Sequence, residues 1–338
     1  MRKINGQPVD AITDISEATG GQALKWDAST GRMAWELQDG TSYLPLAWYG
    51  ARGVFSSGHQ DGSTNVIDYV TIASAGNAID FGDTTESTQN QLACSNGNRG
   101  RGVFAGGGSS SNVIMYVTIA TTDNATDFGD LTVGRYGGGG ASNGSRGIFM
   151  AGYNGSAWSG AANTRVIDYI AIDTTGNATD FGDMAAIDGN CKACNNATRA
   201  VAGGNQGGTG DQMEYITMDT TGNATDFGNL TGGNTEQPGG TDNTSDRGLF
   251  VGGSRASASN NTIDYITISS TGNATDFGDL TEARYGVGAV SDGSRGVFAG
   301  GQGNNTVIDY RLISSTGNAA DFGDLTQGRH GTGAVAGD

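Results

Sequence analysis

Apolar residues along this chain fall in short runs bounded by Gly, Asn, Ser and Asp, and nowhere do they keep the period of an amphipathic helix. The stretch Arg295 to Asp324 shows the pattern in full. It predicts four strands, here called A to D: Tyr285 to Ser291, Arg295 to Ala299, Val307 to Ile313 and Ala319 to Leu325. A joins B through Asp292-Gly293-Ser294, and C joins D through Thr-Gly-Asn-Ala, as at Thr271 to Ala274. Both are tight-turn sequences.

The unit is spelled six times. Asp-Phe-Gly starts at Asp80, Asp127, Asp180, Asp226, Asp276 and Asp321, and the markers are 45 to 53 residues apart, room for four short strands. A Tyr precedes each marker, and an Asn-Ala pair lies between them. Four antiparallel strands put the A–B and C–D turns at one end of the sheet and the B–C and D–A connections at the other. The A–B and C–D turns are nearly the same in every copy, whereas the B–C connection varies, from Gly300–Asn305 in the last copy to the stretch from Gly152 through Tyr153 and Trp158 to Arg165 in the third. One face is therefore expected to carry the differences.

Small sheets repeated about an axis make a β-propeller. The expected fold is all-β: a six-bladed propeller over residues 43–338, preceded by a leader over residues 1–42. Strand A has seven candidates for six places. Closure of the ring is expected to pair Gly331 to Ala336 with Arg52 to Phe55, displacing Leu44 to Tyr49 into the leader. The competing arrangement uses Leu44 to Tyr49 as the first strand A.

The unit resembles the kelch repeat, in which an apolar strand ends in Gly-Gly, a Tyr follows on the next strand, an aromatic comes after a turn and an Arg precedes the following strand. Gly-Gly stands at Gly106, Gly203, Gly252 and Gly300, with Ser57-Gly58 and Ala151-Gly152 in the first and third copies; Phe replaces the family's Trp throughout. The leader's GGQALKWDASTGRMAWEL, Gly20 to Leu37, reads as a β-hairpin and resembles segments near the start of bacteriophage tail-fibre and other virion proteins. That resemblance implies attachment to other virion proteins through Leu24, Trp26 and Trp35, a virion location, and synthesis in a host cytoplasm, since MRKINGQPVD lacks a signal peptide's apolar core.

Sixty glycines and three prolines suit a chain made of tight turns. A net charge of −17 opposes nucleic acid and anionic membrane as partners, and no run is apolar enough to insert in a bilayer. No enzyme motif is present: the two histidines, His59 and His330, lie in different copies, and no Gly-x-Ser-x-Gly occurs. A polysaccharide-degrading enzyme is the least favoured reading. Cys191 and Cys194 have half the spacing of a zinc site without a second half, and Cys194 aligns with Cys94 and Val290, a core position. The Asp-Phe-Gly-Asp turns offer oxygens to a divalent ion, but Asp beside Gly ordinarily bonds its own turn. Neither a metal nor a cofactor is expected.

Arg52, Arg101, Arg146, Arg199, Arg247 and Arg295 open the strands B and are expected to form a ring of Arg–carboxylate pairs. Phe81, Phe128, Phe181, Phe227, Phe277 and Phe322 are expected to pack between blades, with the Tyr residues. Tyr153 and Trp158 in the longest B–C loop, with His59 in the equivalent loop of the first copy, are the candidate ligand-binding residues. Aromatic rings among Asn and Asp fit a sugar's apolar and hydroxyl faces. The expected role is a virion structural protein, an adhesin for a host-surface glycan or receptor; the alternative is a capsid decoration or tail connector that binds other virion proteins.

Overall fold

The computed structural model describes residues 3–4, 7–8, 22–27, 32–37, 49–97, 100–155, 162–205, 210–232, 239–242, 246–255 and 258–338. The chain divides into two units, residues 1–46 and 47–338. In the first, Gln22–Asp27 and Arg32–Leu37 form an antiparallel hairpin whose register sets Leu24 opposite Trp35 and Trp26 opposite Met33. A short pair, Lys3–Ile4 with Gln7–Pro8, lies upstream.

The second unit is a six-bladed β-propeller, each blade four antiparallel strands in the order A-B-C-D. Blade one takes its strand A from the C-terminus, Gly333–Gly337, and its others from Arg52–His59, Ser63–Thr71 and Ile79–Thr88. Its register runs Gly333↔Ser56 through Gly337↔Arg52, so the ring is closed by joining the two ends of the repeat. Strands A of blades two to six are Leu92–Ser95, Gly139–Ser142, Lys192–Asn195, Gly239–Asp242 and Gly288–Ser291. Each lies beside the strands A of the blades before and after it, so the six surround the axis. Among the described residues no helix is long and apolar enough to cross a membrane.

Each apolar core lies between blades. Ile67, Phe81 and Met115 pack with Val117 and Ile119 across blades one and two, and five further clusters of the same make-up continue around the ring to Phe322, Val70 and Ile72 between blades six and one. The six Asp-Phe-Gly phenylalanines are 2–3% exposed. Each meets the strand C Tyr of its own blade edge-on, with centroids 5.8 to 6.1 Å apart. The residue after the strand B Arg is glycine in five blades; in four of them the preceding blade's strand A fills the space a side chain would need, and at Gly296 the ring of Phe298 does. A Cβ on Gly147 would stand 2.6 Å from Cys94 Sγ, and one on Gly248 2.3 Å from Cys194 Sγ. Blade four has Ala200 there, and the core it shares with blade three holds the smaller Ala141.

The strand B arginines differ from expectation. Each guanidinium lies over the strand C Tyr of its own blade, 4.1 to 4.7 Å from the ring centroid. Each also donates to a backbone carbonyl of the next blade, from Arg52 to Ile119 through to Arg295 to Ile72, at 2.7 to 3.1 Å. The ring exists, but it is made of cation–π stacks and carbonyl bonds. Of the strand C carboxylates, Asp68, Asp168 and Asp309 are buried and bound by other arginines, described below.

Candidate functional site

Removing the residues that hold blades together shows what is left for function. Asp-Phe-Gly-Asp and Asn-Ala, the two best repeated phrases, are partners across blades. The backbone N–H of the phrase's last residue donates to the Asn side chain of the next blade at 2.9 to 3.2 Å, from Asp83 with Asn124 around to Asp324 with Asn77. Its carbonyl accepts from the following Ala N–H at 2.8 Å in all six places. The Gly between is held at φ 142° to 150°, and its missing Cβ makes room for the next blade's turn, whose backbone comes within 2.4 to 2.5 Å of where that atom would be. These turns are a clasp. Among the described residues no group of three or more His, Cys, Asp or Glu side chains gathers as a metal site.

The loop end is built differently. In blades three, six and one, an Arg of the D–A connection lies buried on the strand C Asp: Arg135 on Asp168 at 2.7 Å, Arg284 on Asp309 at 2.9 Å and Arg329 on Asp68 at 3.0 Å. Each Arg also donates to a strand B carbonyl, and each Asp accepts from the N–H and hydroxyl of a Thr, such as Thr132 on Asp168. Burial pulls all three arginine pKa values down, and the Asp partner opposes it. The remaining blades fill the slot otherwise. Blade two has Thr88 and Met115; blade four has Asp188 and Glu214, whose carboxylate accepts from Ala185 N and Ala186 N at 2.9 and 2.6 Å.

The residue after this slot is the one displayed. Its carbonyl accepts from the N–H of the B–C connection in a rung that recurs with different side chains: Gln89 with Gly108 at 2.9 Å, Tyr136 with Tyr153 at 2.8 Å, Tyr285 with Gln302 at 2.9 Å and His330 with His59 at 2.8 Å. Backbone makes the bond, so the side chain is free to differ. Tyr136, Tyr285 and His330 are partly exposed, and all three follow a buried Arg: Arg135-Tyr136, Arg284-Tyr285, Arg329-His330. The result is a rosette of polar and aromatic side chains, set on rigid rungs, at the loop end.

The three expected ligand-binding residues have separate fates. His59 belongs to the rosette, its ring 5.1 Å from His330, which in turn meets Tyr285 edge-on. Tyr153 is 6% exposed, packed against Tyr136 and filling the space beside Gly189, so its ring is wall and Tyr136 is the face. Trp158 lies outside the described residues. Leu24, Trp26 and Trp35 lie on the leader hairpin strands. Cys94, Cys191 and Cys194 are buried, unpaired thiols whose pKa values burial raises, to about 12 at Cys191. Sequence reasoning missed Tyr136, Tyr285 and His330, although the recurring Arg-aromatic dipeptide marks them.

No protein-family model matches the chain, and no curated protein matches it in sequence.

Proposed function

We propose that the protein is a structural component of a bacteriophage virion and that its propeller presents the rosette to a glycan of the host surface. The observation that carries the reading is the division of labour between the two ends. At the clasp an Asn side chain makes one of the two inter-blade bonds and is repeated six times; at the loop end backbone alone makes the rungs, where Gln, Tyr and His stand in turn at one position. Partly exposed tyrosines beside Gln and Asn suit a sugar, whose C–H face stacks on a ring while its hydroxyls find amides. The leader's resemblance to segments of tail-fibre proteins supports the virion location. Attachment to the particle is assigned to that hairpin.

The test is the full chain on a glycan array and on intact bacterial cells, with Tyr136→Ala and Tyr285→Ala beside it. Saturable binding that either variant weakens about tenfold or more, with the fold intact by circular dichroism, supports the adhesin. A folded protein that binds no glycan and no cell overturns it. The propeller would then be an architectural part that binds other virion proteins.

A further inference from the structure

The axial channel contains a charge that the fold does not require. The second residues of the six strands A are Ala93, Gly140, Ala193, Gly240, Ala289 and Ala334, a collar of methyl groups and Cα atoms. At the loop end of that collar the first residues are Leu92, Gly139, Lys192, Gly239, Gly288 and Gly333. Lys192 alone is charged. Its Nζ donates to the carbonyl of Gln91, in the approach to blade two, at 3.2 Å. Blade three lies between and offers only Gly139 and Gly140 there. No carboxylate among the described residues pairs with this ammonium.

The same cavity holds a second unused donor. Thr332 is 1% exposed, and its hydroxyl has no hydrogen-bond partner. Apart from Lys192 and Thr332 the walls are the collar, Val287 and Gly288. About 40 Å³ is open to the centre of a water-sized sphere, where one water needs roughly 10–15 Å³, so the space exceeds a single water and takes a carboxylate group. An ammonium with free donors and a buried unpaired hydroxyl both call for an acceptor. A single positive charge in apolar walls matches a single negative one; a dianion exceeds the charge. We infer that this axial pocket is a carboxylate-binding site, with Lys192 Nζ and Thr332 Oγ1 as its donors.

The carboxylate can come from a free small acid or from an acidic sugar whose ring stays outside the pocket, and the inference stands without the glycan reading. Burial lowers the Lys192 pKa to about 8, and no other residue lining the cavity titrates. The neighbouring Cys191 thiol, raised to about 12, stays neutral over the same range.

The experiment is a calorimetric and NMR titration of the full chain with acetate and, separately, with methyl glucuronoside, on wild type, Lys192→Met and Thr332→Val. Lys192→Met keeps length while removing a charge that burial disfavours, so this variant is expected to fold. Wild type should bind, with affinity falling as pH rises above about 8. Lys192→Met should bind roughly tenfold or more weakly, as expected for losing one charged hydrogen bond, and Thr332→Val more weakly than wild type. Tighter binding of the glucuronoside identifies an acidic sugar as the source, and equal binding a free acid; both support the site. Absence of saturable binding by folded wild type, or full affinity in Lys192→Met, overturns it.

Discussion

The clasp and the rosette are bonded by different means: the clasp joins neighbouring blades, and each rung joins the approach to a blade's strand A to that blade's own B–C connection. At the clasp, an Asn side chain takes a neighbour's backbone N–H six times, and Asn is present six times. At the rosette the rung is backbone to backbone, and the paired residues run from Gln89–Gly108 to His330–His59. A repeat thus keeps a residue where its side chain is the bond, and releases it where the main chain is. Sameness between copies therefore reports structure, and difference reports the surface open to function.

The rosette's freedom depends on anchors beneath it, and cutting one should have the largest effect. Asp168→Ala leaves Arg135 buried without its counter-charge, and removing one partner of a buried pair costs about 3 to 5 kcal/mol. Urea unfolding should show that loss, while Asp180→Ala, at an exposed carboxylate, stays within about 0.5 kcal/mol. Equal effects at the two positions would mean that the buried pair is no anchor.

The clasp should yield an intermediate effect. Asn177→Ala removes the acceptor of Asp130 N–H at 3.1 Å, a bond worth about 0.5 to 1.5 kcal/mol. Gln302→Ala in the rosette leaves its rung in place and should cost less than about 0.5 kcal/mol. Comparable losses would erase the distinction between a side-chain bond and a backbone bond. The same pair of variants should reverse order in a glycan-binding assay, where only the rosette residue matters.

What could be read from the sequence follows the same division. Strands, blade number and closure were legible because each rests on a pattern local to one copy or on a count of copies. Seven strand A candidates for six places left two arrangements, and the pairing of Gly333–Gly337 with Arg52–Ser56 is the one that closes the ring. The strand B arginines were legible as repeated and misassigned in partner: charge suggested carboxylates, but Tyr69 and its equivalents stand closer, and the strand C Asp is reached from the D–A connection. The clasp was hidden because its halves, Asp-Phe-Gly-Asp and Asn-Ala, lie in different blades, and each alone reads as a turn. Tyr153 was chosen for its loop; nothing in a loop sequence says that Gly189 leaves the gap its ring fills. Lys192 was visible in the column of first residues of strand A, had that column been read as the lining of an axis.

Closure also brings the chain's two histidines together, and this sets the smallest of the expected effects. His59 and His330 exchange backbone bonds at 2.8 and 3.2 Å and set their rings 5.1 Å apart at a tilt of 45°, with Tyr285 edge-on to His330. Burial, and then the repulsion of a charged His59, lower the His330 pKa, and its Nδ1 has no partner. A histidine whose folded pKa is depressed takes up its proton less readily folded than unfolded. As pH falls below the ordinary value of 6.5 the unfolded chain therefore gains protons first, and stability drops until the folded pKa is reached. Above 6.5 the contribution is flat. His330→Phe keeps an aromatic ring against Tyr285 and the backbone rung, and removes the titration. Its melting temperature should fall less than that of wild type between about pH 7 and pH 5, and the two curves should run parallel above that range. The clasp has no titrating side chain in its bonds, so Asn177→Ala should shift the whole profile down without changing its slope. An identical acid-side slope in wild type and His330→Phe would show that the pair at the closure adds nothing to the pH response, leaving carboxylates elsewhere to account for it.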